Sequence, residues 1–344
     1  MQQVGYGMPG CRPACSRNKL VLASPKAVIF GCSGPELTDE ERYFFARSNP
    51  LGFILFERNC QTPEQVRSLV SDLRSTVQNP KAPILIDQEG GRVVRLKPPN
   101  WSALPAAHTF GEHAENNLGE AMEQTYALAT KIAHELKDVG VTVNCAPCAD
   151  LLREGADPII GDRAFSSRPE IVALLCGQII RGFQEFGITP VIKHLPGHGR
   201  APVDSHKELP VVQTSYEELA NTDFLAFKMI CQSLGTLPTP WGMTAHVVYE
   251  SIDPKHPATH SSTLIQSVIR EHIGFDGFLI SDCLTMEALT GTFGERAQKA
   301  IDAGCDAVLH CNGKLNEMIQ VANATPTLSF EALRRFQKNP FFNT

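Results

Sequence analysis

The sequence has no apolar run that approaches the length of a membrane-spanning helix. It also has no excess of basic residues: the net charge is -6 and the pI is near 6.0, which argues against nucleic acid or an anionic membrane as the main partner. Residues 1–19 contain no apolar segment of the kind that signal peptides carry. We therefore expect a cytoplasmic protein, in which residues 1–19 form a disordered leader and residues 20–344 form one domain.

A disulfide framework is also missing from the pattern of the 11 cysteines, which are odd in number and scattered along a long chain. Reduced thiols are the simplest interpretation. The segment Cys145-Ala146-Pro147-Cys148 has the CxxC form of a redox motif, but it lacks the helix N-terminus that lowers a thiol pKa in such motifs. We interpret these two cysteines as packed thiols.

Hydrophobic residues make up 42% of the chain, which is enough for a sizeable core. They are arranged in short runs that are separated by helix-like segments. Eight runs read as buried parallel strands, which predicts an α/β fold, a single (β/α)8 TIM-type barrel with long βα loops. A doubly wound open sheet is the alternative, although Gly31-Cys32-Ser33-Gly34 matches its GxGxxG turn poorly. The eight runs are Ala27–Phe30, Gly52–Phe56, Pro83–Asp87, Val141–Cys145, Pro190–Lys193, Gly242–His246, Gly277–Asp282 and Ala307–His310.

Between these runs lie amphipathic segments with helical periodicity. Thr62 is a plausible N-cap for the helix that begins at Pro63, because threonine accepts from the first free amides and proline suits the first helical position. The other predicted helices are Glu120–Asp138, Pro169–Phe186, Tyr216–Leu234, Ser262–His272, Glu295–Ala303, Leu315–Ala324 and Phe330–Phe336.

Polar residues stand at the end of five predicted strands. They are Asp87, Asn144, Lys193 with His194, His246, and Ser281 with Asp282. In a barrel the carboxyl ends of the strands converge on one face, where active sites are built. The sequence therefore predicts a polar site at that face.

The loop after the fifth strand, residues 193–206, carries three histidines among glycines and prolines. Asp204 stands two residues before His206, so its carboxylate can reach the ring, fix its tautomer and raise its basicity. The alternative is that Asp204 closes an Asx-turn and His206 is a solvated loop residue. Because Gly197 and Gly199 permit large dihedral changes, we further expect the loop Leu195 to Leu209 to move and deliver His206.

Five stretches together resemble family 3 glycoside hydrolases, and within them the single-domain bacterial β-N-acetylglucosaminidases of cell-wall recycling. The resemblance covers about residues 27–306, and Asp-Ser-His at residues 204–206 marks the glucosaminidase branch. One departure is Cys283, where the family often has Asp. The stretches are IDQEGGRVVR (86–95), GDRAFSS (161–167), KHLPGHGRAPVDSH (193–206), MTAHVVYESIDP (243–254) and GFDGFLISDCLTMEAL (274–289).

The resemblance implies a retaining hydrolase that removes terminal β-linked N-acetylglucosamine, with 1,6-anhydro-muropeptides as the substrate and no cofactor or metal. It assigns the nucleophile to Asp282 and the acid/base to His206, supported by Asp204. On the residues alone, Asp282 is equally an N-cap for residues 284–289. The sugar-binding residues that it implies are Asp87, Arg95, Arg163, Lys193 and His194.

Several alternatives stay open. Arg95 or Arg92 could form a plain salt bridge with Asp87 or Glu89, His198 could only shape its loop, and His246 could donate to a backbone carbonyl. A histidine acid/base would not repel phosphate, so phosphorolysis is a second possible reaction, and a silent sugar-binding protein is a third. A metal-dependent barrel hydrolase would use His194, His198, Asp204, His206 and His246, although no HxH pair follows the first strand and HExxH is absent.

Overall fold

Eight parallel strands close a barrel in the computed structural model, which describes residue 2 and residues 24–342. Each strand pairs with its neighbours in chain order, and the last strand closes on the first. The predicted (β/α)8 barrel is confirmed and the doubly wound sheet is wrong. The leader predicted for residues 1–19 lies, apart from residue 2, outside the described residues. The strands are β1 (Lys26–Gly31), β2 (Pro50–Leu55), β3 (Ile84–Ile86), β4 (Val143–Asn144), β5 (Thr189–Leu195), β6 (Trp241–Thr244), β7 (Leu279–Cys283) and β8 (Ala307–His310).

The helices surround the barrel and begin largely where the sequence predicts. The Thr62 hydroxyl accepts from the Gln65 amide at 3.3 Å, with Pro63 as the first helical residue. Shorter 3-10 turns lie at Glu57–Asn59, Gly161–Arg163, Ala258–His260 and Pro340–Phe342. The helices are Asp39–Ser48, Pro63–Ser75, Ala107–Ala114, Leu118–Asp138, Pro169–Glu185, Tyr216–Asn221, Asp223–Ser233, Leu264–His272 (with π-type hydrogen bonds), Phe293–Ala303, Leu315–Ala324 and Phe330–Gln337.

The segment predicted as one helix from Tyr216 to Leu234 is two helices. Thr222 leaves the helical region with φ -133° and ψ -85°, while its hydroxyl donates to the Glu218 carbonyl at 2.7 Å. The next residue, Asp223, is buried and accepts from Arg200 at 2.7 Å and from Arg153 at 3.2 Å. This buried ion cluster fixes the break, which hydrophobic periodicity does not report.

The amino end of the barrel is closed by aromatic side chains. Phe336, on the helix Phe330–Gln337, lies 5.8 Å from Trp241 and 5.6 Å from Phe278 between ring centroids. Phe342 stacks on Phe336 at 5.0 Å. Aliphatic side chains such as Ile280 fill the interior above them. Apolar residues therefore close this end and leave the polar strand ends to the opposite face.

The long loops at the carboxyl ends are tied together by a second small sheet. Val211–Val212, in the loop after β5, pairs in parallel with Val248–Tyr249, in the loop after β6. Tyr249 is buried and its hydroxyl donates to the Gly197 carbonyl. The predicted long βα loops are present and form the walls of the site. Within the described part of the chain, no helix combines the length and apolar character that crossing a membrane requires.

Candidate active site

A pocket of about 340 Å³ opens at the carboxyl ends of the strands. It brings together seven of the eight residues that the sequence singled out, and the eighth, Asp204, is bonded to His206. Residues that the sequence reasoning did not name also line it, among them Met286, Asn312 and Cys311. The seven are Asp282, His206, Asp87, Arg95, Arg163, Lys193 and His194.

Asp282 lies near the end of β7 and faces the pocket. Its Oδ1 accepts from the Cys283 amide at 2.7 Å. Burial raises the pKa of the Asp282 carboxyl, but the nearby His246 and His194 outweigh this and hold the pKa below its ordinary value. Residues 284–289 form turns rather than a helix, so the N-cap interpretation of Asp282 is wrong. The carboxylate is ionised at neutral pH and free on its pocket side to react.

His246 fixes the backbone beside Asp282. Its Nε2 lies 3.0 Å from the Cys283 carbonyl, which can only accept, so Nε2 carries the proton and donates as the sequence predicts. Its Nδ1 then accepts from the Thr259 hydroxyl at 2.7 Å. Burial holds the pKa of His246 below its ordinary value despite the Asp282 carboxylate. The ring is a neutral support for the strand end.

His206 and Asp204 form a pair at the rim of the pocket. The Asp204 Oδ1 lies 2.8 Å from His206 Nδ1 and also accepts from the His206 amide at 2.9 Å. The second contact is the Asx-turn of the alternative interpretation, and it is compatible with a carboxylate that also supports the His206 ring. Burial raises the pKa of Asp204, while hydrogen bonds from the amide and ring of His206 lower it, and the net pKa is below its ordinary value. Because the carboxylate occupies Nδ1, Nε2 is the ring atom left for chemistry.

Three cations and two carboxylates form a network that lines the pocket. Lys193 Nζ lies 2.9 Å from Asp87 and 2.6 Å from Glu89. Arg163 binds both oxygens of Glu89 at 2.9 Å, and Arg95 lies 3.2 Å from Asp87. The predicted alternative of an Arg95–Asp87 salt bridge is therefore confirmed. Burial raises the pKa of Glu89, but Arg163 and Lys193 hold it far below its ordinary value. The network carries one excess positive charge.

Asp150 is a site residue that the sequence reasoning missed. It is fully buried and accepts from His194 Nδ1 at 2.7 Å and from the His198 amide at 2.6 Å. The carboxylate thus keeps the proton on His194 Nδ1 and leaves Nε2, 3.5 Å from Arg163, as the acceptor. His198 is buried against Ser205 at 3.0 Å, so it shapes the loop as predicted. Asp150 was missed because it lies six residues after Asn144, beyond the end of the predicted strand.

The five residues of the metal-site alternative do not form a ligand cluster. Among the described residues, the group of metal-type ligand atoms within 4.8 Å of one another is Cys148, Asp150 and His194. Of the five, it contains only His194, and Cys148 already donates to Asp150 at 3.3 Å. Cys145 and Cys148 are both buried, and burial raises their thiol pKa values, which supports packed thiols rather than a redox CxxC motif.

Comparison with known proteins places this geometry in a family. The model described as "Glycosyl hydrolase family 3 N terminal domain" matches residues 23–335. A β-hexosaminidase of Alkalilimnicola ehrlichii is 38% identical over 83% of this chain and 80% of its own length. A β-hexosaminidase of Pseudomonas aeruginosa is 34% identical over 91% of this chain and 88% of its own.

Comparison with solved structures leads to the same family. Native NagZ from Neisseria gonorrhoeae superposes with a TM-score of 0.82 at 31% identity, over 92% of this chain and 90% of that one. A family 3 β-N-acetylglucosaminidase from Paenibacillus gives 0.82 at 30% identity, and this chain spans 62% of its length. The chain therefore belongs to glycosyl hydrolase family 3, among relatives named β-hexosaminidase.

Proposed function

We propose that this protein is a retaining β-N-acetylhexosaminidase of the cytoplasm that removes terminal β-linked N-acetylglucosamine through a covalent glycosyl-enzyme. The observation that carries the proposal is that an ionised carboxylate, Asp282, and a histidine held by a carboxylate, His206, line the same pocket. Retaining glycosidases need a nucleophile and a proton donor of this kind.

In the first step the Asp282 carboxylate attacks C1 of the sugar while the bond to the leaving oxygen breaks. The proton for that oxygen comes from His206 Nε2, and Asp204 stabilises the imidazolium form that must donate it. In the second step the neutral ring accepts a proton from water, whose oxygen attacks C1 and releases Asp282. A nucleophile near a strand end keeps its line of attack fixed, whereas the acid/base on a loop can serve both steps.

The charge network is the sugar-binding wall. Asp87 accepts from sugar hydroxyls. Lys193, Arg163 and Arg95 donate to the sugar through the N–H groups that are not already bonded to Asp87 or Glu89. His194 Nε2 is an acceptor because Asp150 holds the Nδ1 proton. Charge-assisted hydrogen bonds of this kind are about twice as strong as neutral ones. They orient a neutral pyranose that has no charge of its own.

Two relatives bear on the substrate. The gonococcal NagZ has been solved in complex with N-trifluoroacetyl-D-glucosamine, and the Paenibacillus relative is a β-N-acetylglucosaminidase. We place N-acetylglucosamine in the pocket on that basis. The aglycone that we propose is 1,6-anhydro-N-acetylmuramic acid of a cell-wall muropeptide, which follows from the resemblance of the sequence motifs.

The test is turnover of 4-nitrophenyl N-acetyl-β-glucosaminide and of the anhydro-muropeptide disaccharide, each with and without inorganic phosphate. Free N-acetylglucosamine released at the same rate in both conditions supports hydrolysis. Formation of a sugar 1-phosphate would show that the reaction is phosphorolysis. Absence of turnover with both substrates would indicate a sugar-binding protein without catalytic activity. Loss of activity after dialysis against a chelator would contradict a metal-free mechanism.

A further inference from the structure

Arg58 lines the pocket as a cation that no carboxylate of the described residues neutralises. The three cations of the sugar-binding wall each contact a carboxylate there. Arg92, also at the pocket, lies 2.8 Å from Asp162. Glu57, the neighbour of Arg58 in sequence, pairs instead with Lys97 at 2.7 Å. An uncompensated positive charge therefore faces the pocket at Arg58.

Neutral groups hold the Arg58 guanidinium in place. Its Nε donates to the Cys32 carbonyl at 3.0 Å, its Nη2 donates to the Cys311 carbonyl, and its central carbon lies 5.2 Å from the centre of the Phe56 ring. A Cβ on Gly31, at the end of β1, would lie 2.3 Å from the Cys311 carbonyl oxygen and 3.1 Å from Nη2, so glycine keeps room for this contact. Within the described chain these hydrogen bonds use Nε and Nη2, which leaves Nη1 for a ligand.

Arg58 lies at the mouth of the pocket rather than at its floor. Lys193, in the sugar-binding wall, is 2% exposed, whereas Arg58 is exposed. His206, which protonates the leaving oxygen in the proposed mechanism, is exposed as well. A terminal sugar that binds at the floor therefore leaves the rest of the substrate, the aglycone, at the level of His206 and Arg58.

We propose that Arg58 binds a carboxylate of the aglycone and so makes the enzyme specific for N-acetyl-β-glucosaminides with an anionic aglycone. This rests on the proposed function, because it assigns a role in recognising the substrate of that reaction. Arg58 gives up no ion pair when it binds a carboxylate, unlike the other pocket cations, and the bond that forms is charge-assisted. An uncharged aglycone gains only an ordinary hydrogen bond at the same position.

The experiment compares two disaccharides that share one glycosidic bond and one leaving oxygen. The first is the anhydro-muropeptide disaccharide with its free carboxylate, and the second is the same compound with that carboxylate converted to a carboxamide. The ratio of kcat/KM for the two is measured in phosphate-free buffer at low ionic strength for the full-length wild type, Arg58→Gln and Arg58→Lys. Arg47→Gln is the matched control, because it removes an equal charge from an exposed arginine on the outer helix Asp39–Ser48.

We expect wild type and Arg47→Gln to favour the carboxylate by about tenfold, as one charge-assisted hydrogen bond at a partly screened position allows. In Arg58→Gln, kcat/KM should fall by about tenfold for the carboxylate and stay within about twofold for the carboxamide, whereas Arg58→Lys should keep part of the preference. Added salt should weaken the preference in the wild type.

An unchanged ratio in Arg58→Gln, or an equal fall for both disaccharides, overturns the proposal, since the second result would mean that Arg58 only joins the loops at the strand ends. A wild type that turns over neither compound contradicts the proposed function instead. Calorimetric titration of wild type and Arg58→Gln with the same pair then tests Arg58 by itself: a preference for the carboxylate that Arg58→Gln loses supports its role, and equal affinities of the wild type for both refute it.

Discussion

At the residue scale, each side chain of the proposed sugar-binding wall is held by a partner of opposite charge. Lys193 is 2% exposed and contacts two carboxylates, so it is positioned before any substrate enters. A buried ion pair is a weak source of stability, because desolvation offsets much of the attraction. The network is better understood as preorganisation, since it fixes donors and acceptors for a sugar that forms only hydrogen bonds.

Removing either central cation should weaken substrate and transition-state binding together. For Lys193→Ala and Arg163→Ala we expect kcat/KM to fall by roughly tenfold to a hundredfold, because charge-assisted hydrogen bonds contribute about 1.5–3 kcal/mol each. Steady-state kinetics with 4-nitrophenyl N-acetyl-β-glucosaminide measure this.

Arg67→Ala is the matched control, because Arg67 pairs with Glu64 and Asp138 on the outer surface. Surface pairs of this kind contribute about 0–1 kcal/mol. If Lys193→Ala and Arg163→Ala both kept wild-type kinetics and were folded by circular dichroism, these two residues would not take part in substrate binding.

At the element scale, the loop after β5 has a fixed base and a weakly held tip. At the base, the His198 amide binds Asp150, and a Cβ on Gly199 would lie 2.1 Å from the Leu151 carbonyl oxygen, so only glycine fits. At the tip, the Ser205 carbonyl accepts from the Ala288 amide at 3.3 Å and the His206 carbonyl accepts from the Glu287 amide at 3.4 Å. Movement of the loop is therefore expected in its tip alone.

Crystal structures of the free and sugar-bound protein test this. We expect the base at residues 197–199 to superpose and His206 to shift by several Å, or to lack density without sugar, because the hydrogen bond that joins its backbone to Glu287 is long at 3.4 Å. One well-ordered His206 position in both states would refute the motion.

His206→Ala should slow substrates according to their leaving group. Aryl leaving groups of low pKa depart without a proton, so their hydrolysis should fall much less than that of alkyl glycosides. Rates for a series of aryl and alkyl N-acetyl-β-glucosaminides measure the difference. An equal fall across the series would mean that His206 does not protonate the leaving oxygen.

Periodicity predicted all eight strands, and residue types at the strand ends predicted half of the eight candidate site residues, whereas the family resemblance supplied Arg95, Arg163 and the role of His206 with Asp204. Asp282, Lys193 and His194 lie where a barrel must bring strand ends together, so their position in the chain was sufficient. Asp150 escaped because its position depends on the path of a loop. Thr222 broke a predicted helix because a buried ion cluster, formed by residues far apart in sequence, determines the backbone there.

At the scale of the whole molecule, stability is tied to buried histidines around the barrel mouth. Burial and the neighbouring His194 lower the pKa of His198 from 6.5 to about 4 despite the Asp150 carboxylate. Between pH 6.5 and 4 the unfolded chain therefore binds a proton at this position that the folded chain does not. The contribution of His198 to the free energy of unfolding is therefore fully present above pH 6.5, and it is lost as the pH falls toward 4.

Between pH 6.5 and 4 the contribution of His198 to the free energy of unfolding should change by about 3 kcal/mol, at about 1.4 kcal/mol per pH unit. Urea unfolding of wild type and His198→Gln between pH 7 and 4 measures it, with His256→Gln, which removes an exposed imidazole, as the control. We expect the wild-type free energy to fall more steeply than that of His198→Gln. Parallel curves would show that His198 does not couple folding to protons.

Covalent catalysis by Asp282 is the central claim, and trapping of the glycosyl-enzyme tests it most directly. The protein is incubated with a 5-fluoro N-acetylglucosaminyl donor, which slows the second step, and its peptides are sequenced by mass spectrometry. We expect one added sugar on the peptide that contains Asp282, and none in Asp282→Asn, which should fold but lose most turnover. A sugar on another residue, or a wild type that turns over the donor with inversion and no adduct, would contradict the account.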